Sequence, residues 1–209
     1  MENCQNILQH GLKELAIAPS ENQLNSLLAF IQLIEKWNKA YNLTAVRNKE
    51  DMARLHILDS LTVLPFIEGG RVADIGTGAG LPGIPLAIFL PEVEFLLVDS
   101  NSKKTRFVQQ AILELKLTNV TVIHSRVEQI TPEQPFSTVI MRAFASLTDI
   151  MQLTSHLLDK QGILLAMKGQ KMNEDMEAIS HPYSIIPLSI PGVEAERCLI
   201  KIEGGAKNG

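Results

Sequence analysis

A glycine-rich loop after a short apolar segment is the first part of the sequence that suggests chemistry. Residues 74 to 80 read Asp-Ile-Gly-Thr-Gly-Ala-Gly. Glycines adopt the backbone angles of tight turns and let a ligand approach the main chain closely. A second acid, Asp99, follows the next apolar segment about twenty residues later. We therefore expect Asp74 and Asp99 at the sheet edge where open α/β proteins bind ligands.

Two ligand classes fit this loop at first. Residues 78–83 match Gly-x-Gly-x-x-Gly, the dinucleotide fingerprint, in which Asp99 would bind the ribose of NAD. The predicted strand runs directly into Gly76, however, so the turn begins two residues before that match. The Asp74 carboxylate would repel a pyrophosphate but suits a ligand with an ammonium and a sulfonium. The loop favours S-adenosylmethionine, held by Asp74, the loop glycines Gly78 and Gly80, and Asp99 on the ribose hydroxyls.

The surrounding elements are predicted to form an α/β fold preceded by helices. Up to residue 67, apolar residues recur at helical spacing, and Ser20 to Gln23 resembles a capping box. From Arg71 onward, short Val- and Ile-rich segments alternate with helical ones, which is typical of a parallel sheet. The seven predicted strands are residues 71–75, 93–98, 120–124, 137–141, 162–167, 183–189 and 196–202. The last two should pair as an antiparallel hairpin because their connection is short.

By analogy, this arrangement resembles the mostly parallel, seven-stranded Rossmann-like plan of class I methyltransferases. We expect a helical extension over residues 1–67, an S-adenosylmethionine-binding domain over 68–204 and a loose tail over 205–209.

The two cysteines, Cys4 and Cys198, are far apart and suggest neither a disulfide framework nor a metal site. No secretion signal or apolar run of membrane-spanning length is present, so we expect a cytoplasmic protein without membrane contact. The net charge of -4 argues against a nucleic-acid partner, although Lys103 to Arg106, Arg47 to Lys49 and Lys168 to Lys171 are local basic clusters, each typical of a solvated surface.

Several motifs together resemble one family, the GidB or RsmG ribosomal RNA small subunit methyltransferases, along nearly the whole chain. The motifs are Lys36 to Thr44, His56 to Ser60, Asp74 to Pro85, Asp99-Ser100, Ser125 to Glu128, Arg142 to Ala145 and Lys168-Gly169. The resemblance implies transfer of a methyl group from S-adenosylmethionine to guanine N7 in the 530 loop of 16S ribosomal RNA. By the same resemblance, the cofactor is bound by Gly76, Leu81, Val127, Glu128 and Arg142.

Guanine N7 carries a lone pair and no proton, so direct transfer requires alignment rather than a general base. Arg142 is predicted to act in catalysis, either by orienting guanine O6 or by holding the cofactor carboxylate. Phe144 would stack on the displaced base or pack as a core residue. Lys168 would contact a phosphate or lie on the surface. We expect Asn42 and His56, within the helical extension, to help bind RNA while the extension covers the cofactor, although a lone histidine is more often structural.

Three other functions remain open at this point. A methyltransferase for a small molecule or a protein would agree better with the acidic composition. A nicotinamide-dependent oxidoreductase would require a neutral residue at position 74. A non-catalytic, ribosome-associated cofactor-binding module would contain the loop but would not catalyse methyl transfer. For Asp99, a cap on the helix that begins near Ser102 is the alternative to ribose binding.

Overall fold

One seven-stranded sheet forms the centre of the molecule in a computed structural model that describes residues 3–142, 146–169 and 179–204. Its strands lie in the order β3-β2-β1-β4-β5-β7-β6. They are β1 (Arg71–Ile75), β2 (Glu94–Asp99), β3 (Val120–His124), β4 (Phe136–Arg142), β5 (Leu158–Gly169), β6 (Tyr183–Leu188) and β7 (Arg197–Glu203). All seven predicted strands are present, and β5 begins four residues earlier than its apolar run because it already pairs with Phe136.

The pairing confirms the predicted arrangement of strand directions. Strands β1 to β5 are parallel, with Asp74 of β1 opposite Leu97 of β2. β7 pairs antiparallel with both β5 and β6. The segment between β6 and β7 is too short for a crossover helix, so these strands can only run in opposite directions. The carboxyl ends of the five parallel strands therefore share one edge of the sheet, which we call the carboxyl edge.

Helices cover the sheet and precede it. They are α1 (Cys4–Glu14), α2 (Glu21–Tyr41), α3 (Lys49–Met52), α4 (Asp59–Leu61), α5 (Gly83–Phe89), α6 (Ser102–Glu114) and α7 (Leu147–Thr154). The capping box predicted for α2 is present, because Ser20 Oγ accepts from the Gln23 amide and the Gln23 side chain accepts from the Ser20 amide. A π-helical turn, Ala53–Leu58, connects α3 to α4. Apolar spacing alone predicts an ordinary helix there.

The helical extension and the sheet share one hydrophobic core. Leu8 of α1, Phe30 of α2 and Ile57 of the π-helical turn lie in the same cluster as Val72 and Leu199 of the sheet. The predicted domain boundary between residues 67 and 68 stays a prediction. The parts of the chain on its two sides bury their apolar surface in the same core. The tail at 205–209 lies outside the described residues. Within the described part of the chain, no helix has the length and apolarity to cross a bilayer.

Candidate functional site

The loop after β1 is fixed at both ends by hydrogen bonds. The amides of Gly76 and Thr77 both donate to the Val98 carbonyl of β2, at 2.8 and 3.0 Å. Asp74 Oδ2 accepts from Thr77 Oγ1 at 2.7 Å and from the Gly83 amide at 2.8 Å. One carboxylate oxygen thus joins the strand end, the turn and the first residue of α5.

The glycines of this loop serve different purposes. Gly76, Gly78 and Gly80 all have positive φ, at 70°, 59° and 80°, which other residues rarely adopt. A Cβ atom at Gly76 would meet no atom within 4 Å, and one at Gly78 only the Gly76 carbonyl at 3.9 Å. At Gly80 it would collide with the Ile84 side chain at 2.6 Å. Gly76 and Gly78 therefore border open space that a ligand can fill, whereas Gly80 is packed; Leu81 beside it is buried.

Asp99 at the end of β2 supports the same loop. Its Oδ2 accepts from the Gly78 amide and its Oδ1 from the Asn101 amide, both at 2.8 Å. The interpretation of Asp99 as the cap of α6 is wrong, because Asn101 Oδ1 accepts from the amides of Lys103 and Lys104. Each Asp99 oxygen retains a second acceptor position for a hydroxyl group. Ribose binding stays a prediction.

Val127 and Glu128 lie in a short 3-10 turn (Val127–Gln129) that follows β3. The turn is close to Asp99, because the Ser125 amide donates to the Asp99 carbonyl at 3.1 Å. Val127 is half-buried against the core, and Glu128 is exposed. Both residues thus lie at the carboxyl edge beside the glycine loop.

A cluster of charged residues forms the other side of the site, where β4 ends against the helical extension. Arg142 Nη2 forms a salt bridge with Asp59 Oδ2 at 3.1 Å. The same nitrogen lies within hydrogen-bond distance of Ser60 Oγ at 3.0 Å and of the His56 carbonyl at 3.2 Å. Arg197 of β7 approaches Asp59 Oδ1 at 3.8 Å. The guanidinium of Arg142 is therefore oriented by residues that the π-helical turn and α4 supply.

Burial changes the acidity of these groups. Loss of water raises the pKa of Asp74 to about 6, against the hydrogen bonds from Thr77 and Gly83. Burial and then the charge of Arg142 lower the pKa of His56 to about 4, so its imidazole is neutral near pH 7. Burial also raises the pKa of Asp59, while the charges of Arg142 and Arg197 oppose that change.

Four buried side-chain atoms of the described residues have no hydrogen-bond partner, and all belong to this region. They are His56 Nδ1, Asp59 Oδ1, Asp74 Oδ1 and Arg142 Nε. Buried polar atoms are usually paired, so a group of unpaired ones calls for an explanation. Arg142 also keeps 23% of its side-chain surface open. A donor for a carboxylate and acceptors for an ammonium are the groups that the methionine part of S-adenosylmethionine requires, so the residues fit this cofactor.

The residues predicted to bind RNA lie in different surroundings. Asn42 is exposed and ends α2, and its Oδ1 accepts from Arg47 Nη2. His56 is buried, and its Nε2 is 2.9 Å from Thr44 Oγ1. Lys168 lies near the carboxyl end of β5, on the strand that pairs with that of Arg142. Phe144 lies outside the described residues.

Asp59, Ser60 and Arg197 have no role in the sequence-based predictions, although they contact Arg142 or its partner. Asp59 and Ser60 belong to the His56 to Ser60 motif, and an acid inside an otherwise apolar helical pattern is the signal that points to a buried partner. Arg197 offers no such signal, since it is one of several arginines in the sequence. Its position becomes meaningful only when β7 is placed beside β5.

Comparison with known proteins agrees with the fold and identifies the family. The model of the GidB family, rRNA small subunit methyltransferase G, matches residues 23–199. A protein of that name from Nitrosococcus oceani is 47% identical over 201 residues, covering 95% of this chain and 94% of its own. Another from Pseudomonas syringae pv. syringae is 50% identical over 196 residues, covering 92% of each.

Solved structures give the same fold class. A magnesium protoporphyrin IX methyltransferase from Synechocystis superposes with a TM-score of 0.58 at 16% identity, over 83% of this chain and 96% of its own. TYW2 of M. jannaschii superposes with a TM-score of 0.57, also at 16% identity, over 70% and 74%. At this identity the likeness concerns the fold, and it confirms the predicted Rossmann-like methyltransferase architecture. With the family match along most of its length, the chain belongs to the GidB family of rRNA small subunit methyltransferases G.

Proposed function

We propose that this protein transfers a methyl group from S-adenosylmethionine to a guanine N7 in the 530 loop of 16S ribosomal RNA. Similarity to named rRNA small subunit methyltransferases along almost the whole chain carries this proposal. The acidic composition, with a net charge of -4, is outweighed because these relatives match more than nine tenths of the chain. The substrate is the RNA itself or the small ribosomal subunit that contains it.

The cofactor, when bound, supplies a methyl group already activated on a sulfonium. The loop of Gly76 and Gly78 borders the space for it, and Asp74 Oδ1 offers an acceptor without a partner. In this proposal Asp99 accepts hydrogen bonds from the ribose hydroxyls, while Leu81, Val127 and Glu128 contact the rest of the cofactor. Gly80 contributes by keeping the turn closed.

Arg142 is the proposed catalytic residue. Its Nη2 contacts Asp59, Ser60 and the His56 carbonyl, while 23% of its side-chain surface stays open. In this proposal the guanidinium donates to a carboxylate of the cofactor or to guanine O6. A fixed donor of this kind accelerates the reaction by alignment, and the neutral His56 imidazole is not needed as a base. Lys168 and Asn42 are proposed to contact the RNA around the target base.

The test is direct. Purified protein is incubated with labelled S-adenosylmethionine and either unmodified 16S RNA or unmodified small subunits, and the methylated nucleotide is mapped. We expect N7-methylguanine at a single position of the 530 loop. Label on another nucleotide would overturn the proposed position, and label on protein or a small molecule but not on RNA would overturn the proposed substrate.

A further inference from the structure

Three aromatic rings, those of Tyr41, Trp37 and Phe107, pack in a row at the end of α2, and we call them the aromatic column. Tyr41 stacks on Trp37 with ring centroids 5.2 Å apart, and Trp37 meets the edge of Phe107 of α6 at 5.7 Å. Phe107 is fully buried, whereas Tyr41 keeps 46% of its surface exposed. The tyrosine ring is thus held on one side by fixed neighbours and is open to solvent on the other.

The column lies further along α2 than the residue that is near the glycine loop. Near its start, α2 contacts the end of α5, where Gln23 Nε2 donates to the Ile88 carbonyl at 3.3 Å. Further along, the Phe30 ring lies 3.5 Å from the position of a Cβ atom at Gly80. α2 therefore runs towards the carboxyl edge, and Tyr41 follows Phe30 by about 16 Å of helix.

The two segments that meet at this column carry positive charge in an acidic protein. Residues 36–49 and 101–113 contain no Asp or Glu and seven of the chain's 19 Lys and Arg residues. The rest of the chain contains the other 12 Lys and Arg residues and all 23 Asp and Glu residues. Contact between Trp37 and Phe107 brings the two segments together. Lys103 and Lys104 precede Phe107 by one helical turn and share its side of α6.

One of these charges is already balanced, because Lys49 pairs with Glu35 at 2.9 Å. Arg47 donates to the neutral amide of Asn42 and keeps its charge. Lys103 and Lys104 have no salt bridge among those of the described residues, and Lys103 is exposed. Lys103 and Lys104 therefore carry positive charge that no salt bridge of the described residues balances, although the whole chain is negative.

We propose that Tyr41 and the nearby Lys103 and Lys104 form a docking surface for single-stranded RNA, on the part of α2 that continues from the glycine loop. One unpaired base stacks on Tyr41, and the two lysines contact the adjoining phosphates. Aromatic rings and cations in this combination bind single strands with little sequence preference. The inference rests on the proposed RNA substrate and adds a contact outside the predicted cofactor site.

The first experiment measures binding of a labelled, unmodified 16S RNA transcript without S-adenosylmethionine. Tyr41→Ala should raise the Kd about tenfold, because loss of a stacked base weakens binding by this order. Tyr41→Phe keeps the ring and should bind like the parent chain. The matched control is Tyr183→Ala, since the only other tyrosine is similarly exposed, at 42%, on β6 at the far end of the sheet.

Trp37 offers an independent readout because it is the only tryptophan in the chain. RNA should change its fluorescence in the parent chain and in Tyr41→Phe, with the same midpoint as the binding curve. An unchanged Kd in Tyr41→Ala, or RNA binding that leaves Trp37 fluorescence unaltered, would overturn the docking surface.

The charge contribution is tested by salt dependence. In Lys103→Gln/Lys104→Gln, the slope of log K against log salt should become shallower by about 1.4, as expected for two lost contacts to single-stranded RNA. Lys13→Gln/Lys160→Gln changes the net charge equally at distant exposed positions and should leave the slope unaltered. Equal slopes in both pairs would contradict the proposal.

These results separate the docking surface from the proposed function. Binding that depends on Tyr41 without methyl transfer would refute the reaction and keep the surface. Methyl transfer to the 530 loop with binding that ignores Tyr41 and both lysines would refute the surface and keep the reaction.

Discussion

Residues 74 to 83 form one half of the candidate site from a single stretch of chain, whereas Asp59, Arg142 and Arg197 form the other half from three distant elements. In the first half, the hydrogen bonds of Asp74 join residues at most nine positions apart, and those of the Gly76, Thr77 and Gly78 amides reach only the end of β2, 21 or 22 positions away. In the second, the Asp59 to Arg142 salt bridge spans 83 positions. The loop is a local backbone structure, while the charged half depends on how the helical extension docks on the sheet.

This difference governs how each half should respond to substitution. A substitution at a loop glycine strains the backbone at that one position. Removal of Asp59 or Arg142 from the charged half leaves its buried partner unpaired, which costs more. Substitutions in the two halves should therefore differ in their effects.

The largest effect is expected for Arg142→Ala. Loss of an aligned donor next to the reacting groups should lower kcat/KM for methyl transfer at least about a hundredfold. A rise in the KM for S-adenosylmethionine would assign Arg142 to the cofactor carboxylate, and a fall in kcat alone would assign it to guanine O6. Arg142→Lys keeps the charge but not the planar geometry, so it should recover little. Rates near those of the parent chain would contradict the proposed role.

Asp59→Asn should reduce stability most. It leaves Arg142 without its buried counter-ion, and breaking such a pair costs about 3 kcal/mol of unfolding free energy. Urea denaturation measures the loss. Glu94→Gln is the matched control, because Glu94 pairs with Arg71 at the surface, where such a pair contributes less than about 1 kcal/mol. Equal losses in both variants would show that the Asp59 pair behaves like a surface one.

Gly78→Ala tests the loop half. A residue with a Cβ atom at a φ of 59° should cost about 1–2 kcal/mol of unfolding free energy. Gly70→Ala is the comparison, because a Cβ there meets no atom within 4 Å and its φ is not positive. The new methyl group of Gly78→Ala also enters the open space beside the loop. We therefore expect weaker binding of S-adenosylmethionine in addition to the loss of stability. Cofactor affinity equal to that of Gly70→Ala would contradict a ligand at this position.

Asp74 should make cofactor binding depend on pH. Its pKa of about 6 in the free protein means that it is ionised at pH 7 and mostly protonated at pH 5. A cationic ligand binds the ionised form, so affinity should be lost as the pH falls through 6, by about tenfold at pH 5. Calorimetric titration with S-adenosylmethionine measures this change. Asp74→Asn should bind weakly with little pH dependence, and a parallel pH profile in that variant would exclude Asp74 as the titrating group.

The smallest effect is expected for Arg197→Gln. Its Nε is 3.8 Å from Asp59 Oδ1, and a third of its side chain is exposed, so stability should fall by less than about 1 kcal/mol. The pKa of Asp59 should rise further, because one of two opposing positive charges is lost. Stability measured against pH detects both. A loss as large as that of Asp59→Asn would mean that the charged half is a single three-residue unit.

The sequence predicts the loop half well because its geometry is local. Asp74, the glycines and Asp99 each follow a strand that apolar spacing reveals, and parallel strands bring their ends together. The partner of Arg142 is not predictable in this way, since the contact requires the π-helical turn and the docking of α4. The cap of α6 is a smaller case, because Asp99 and Asn101 are both good caps and only the backbone decides between them.

The basic clusters illustrate another limit of the sequence. Each of them is typical of an ordinary solvated surface when it is considered alone. Residues 36–49 and 101–113 come together only because α2 packs on α6 through Trp37 and Phe107, a contact between residues seventy positions apart. Net charge, which is a property of the whole chain, cannot report such a local field.

The position of β7 between β5 and β6 has a consequence for synthesis. While the chain emerges from the ribosome, β5 remains an open sheet edge until residues 197–203 are available, and β6 pairs only with β7. Arg197 reaches Asp59 in the same step. A nascent chain that stops before β7 would contain the complete glycine loop and still lack a closed sheet, so maturation of the site coincides with arrival of its last strand.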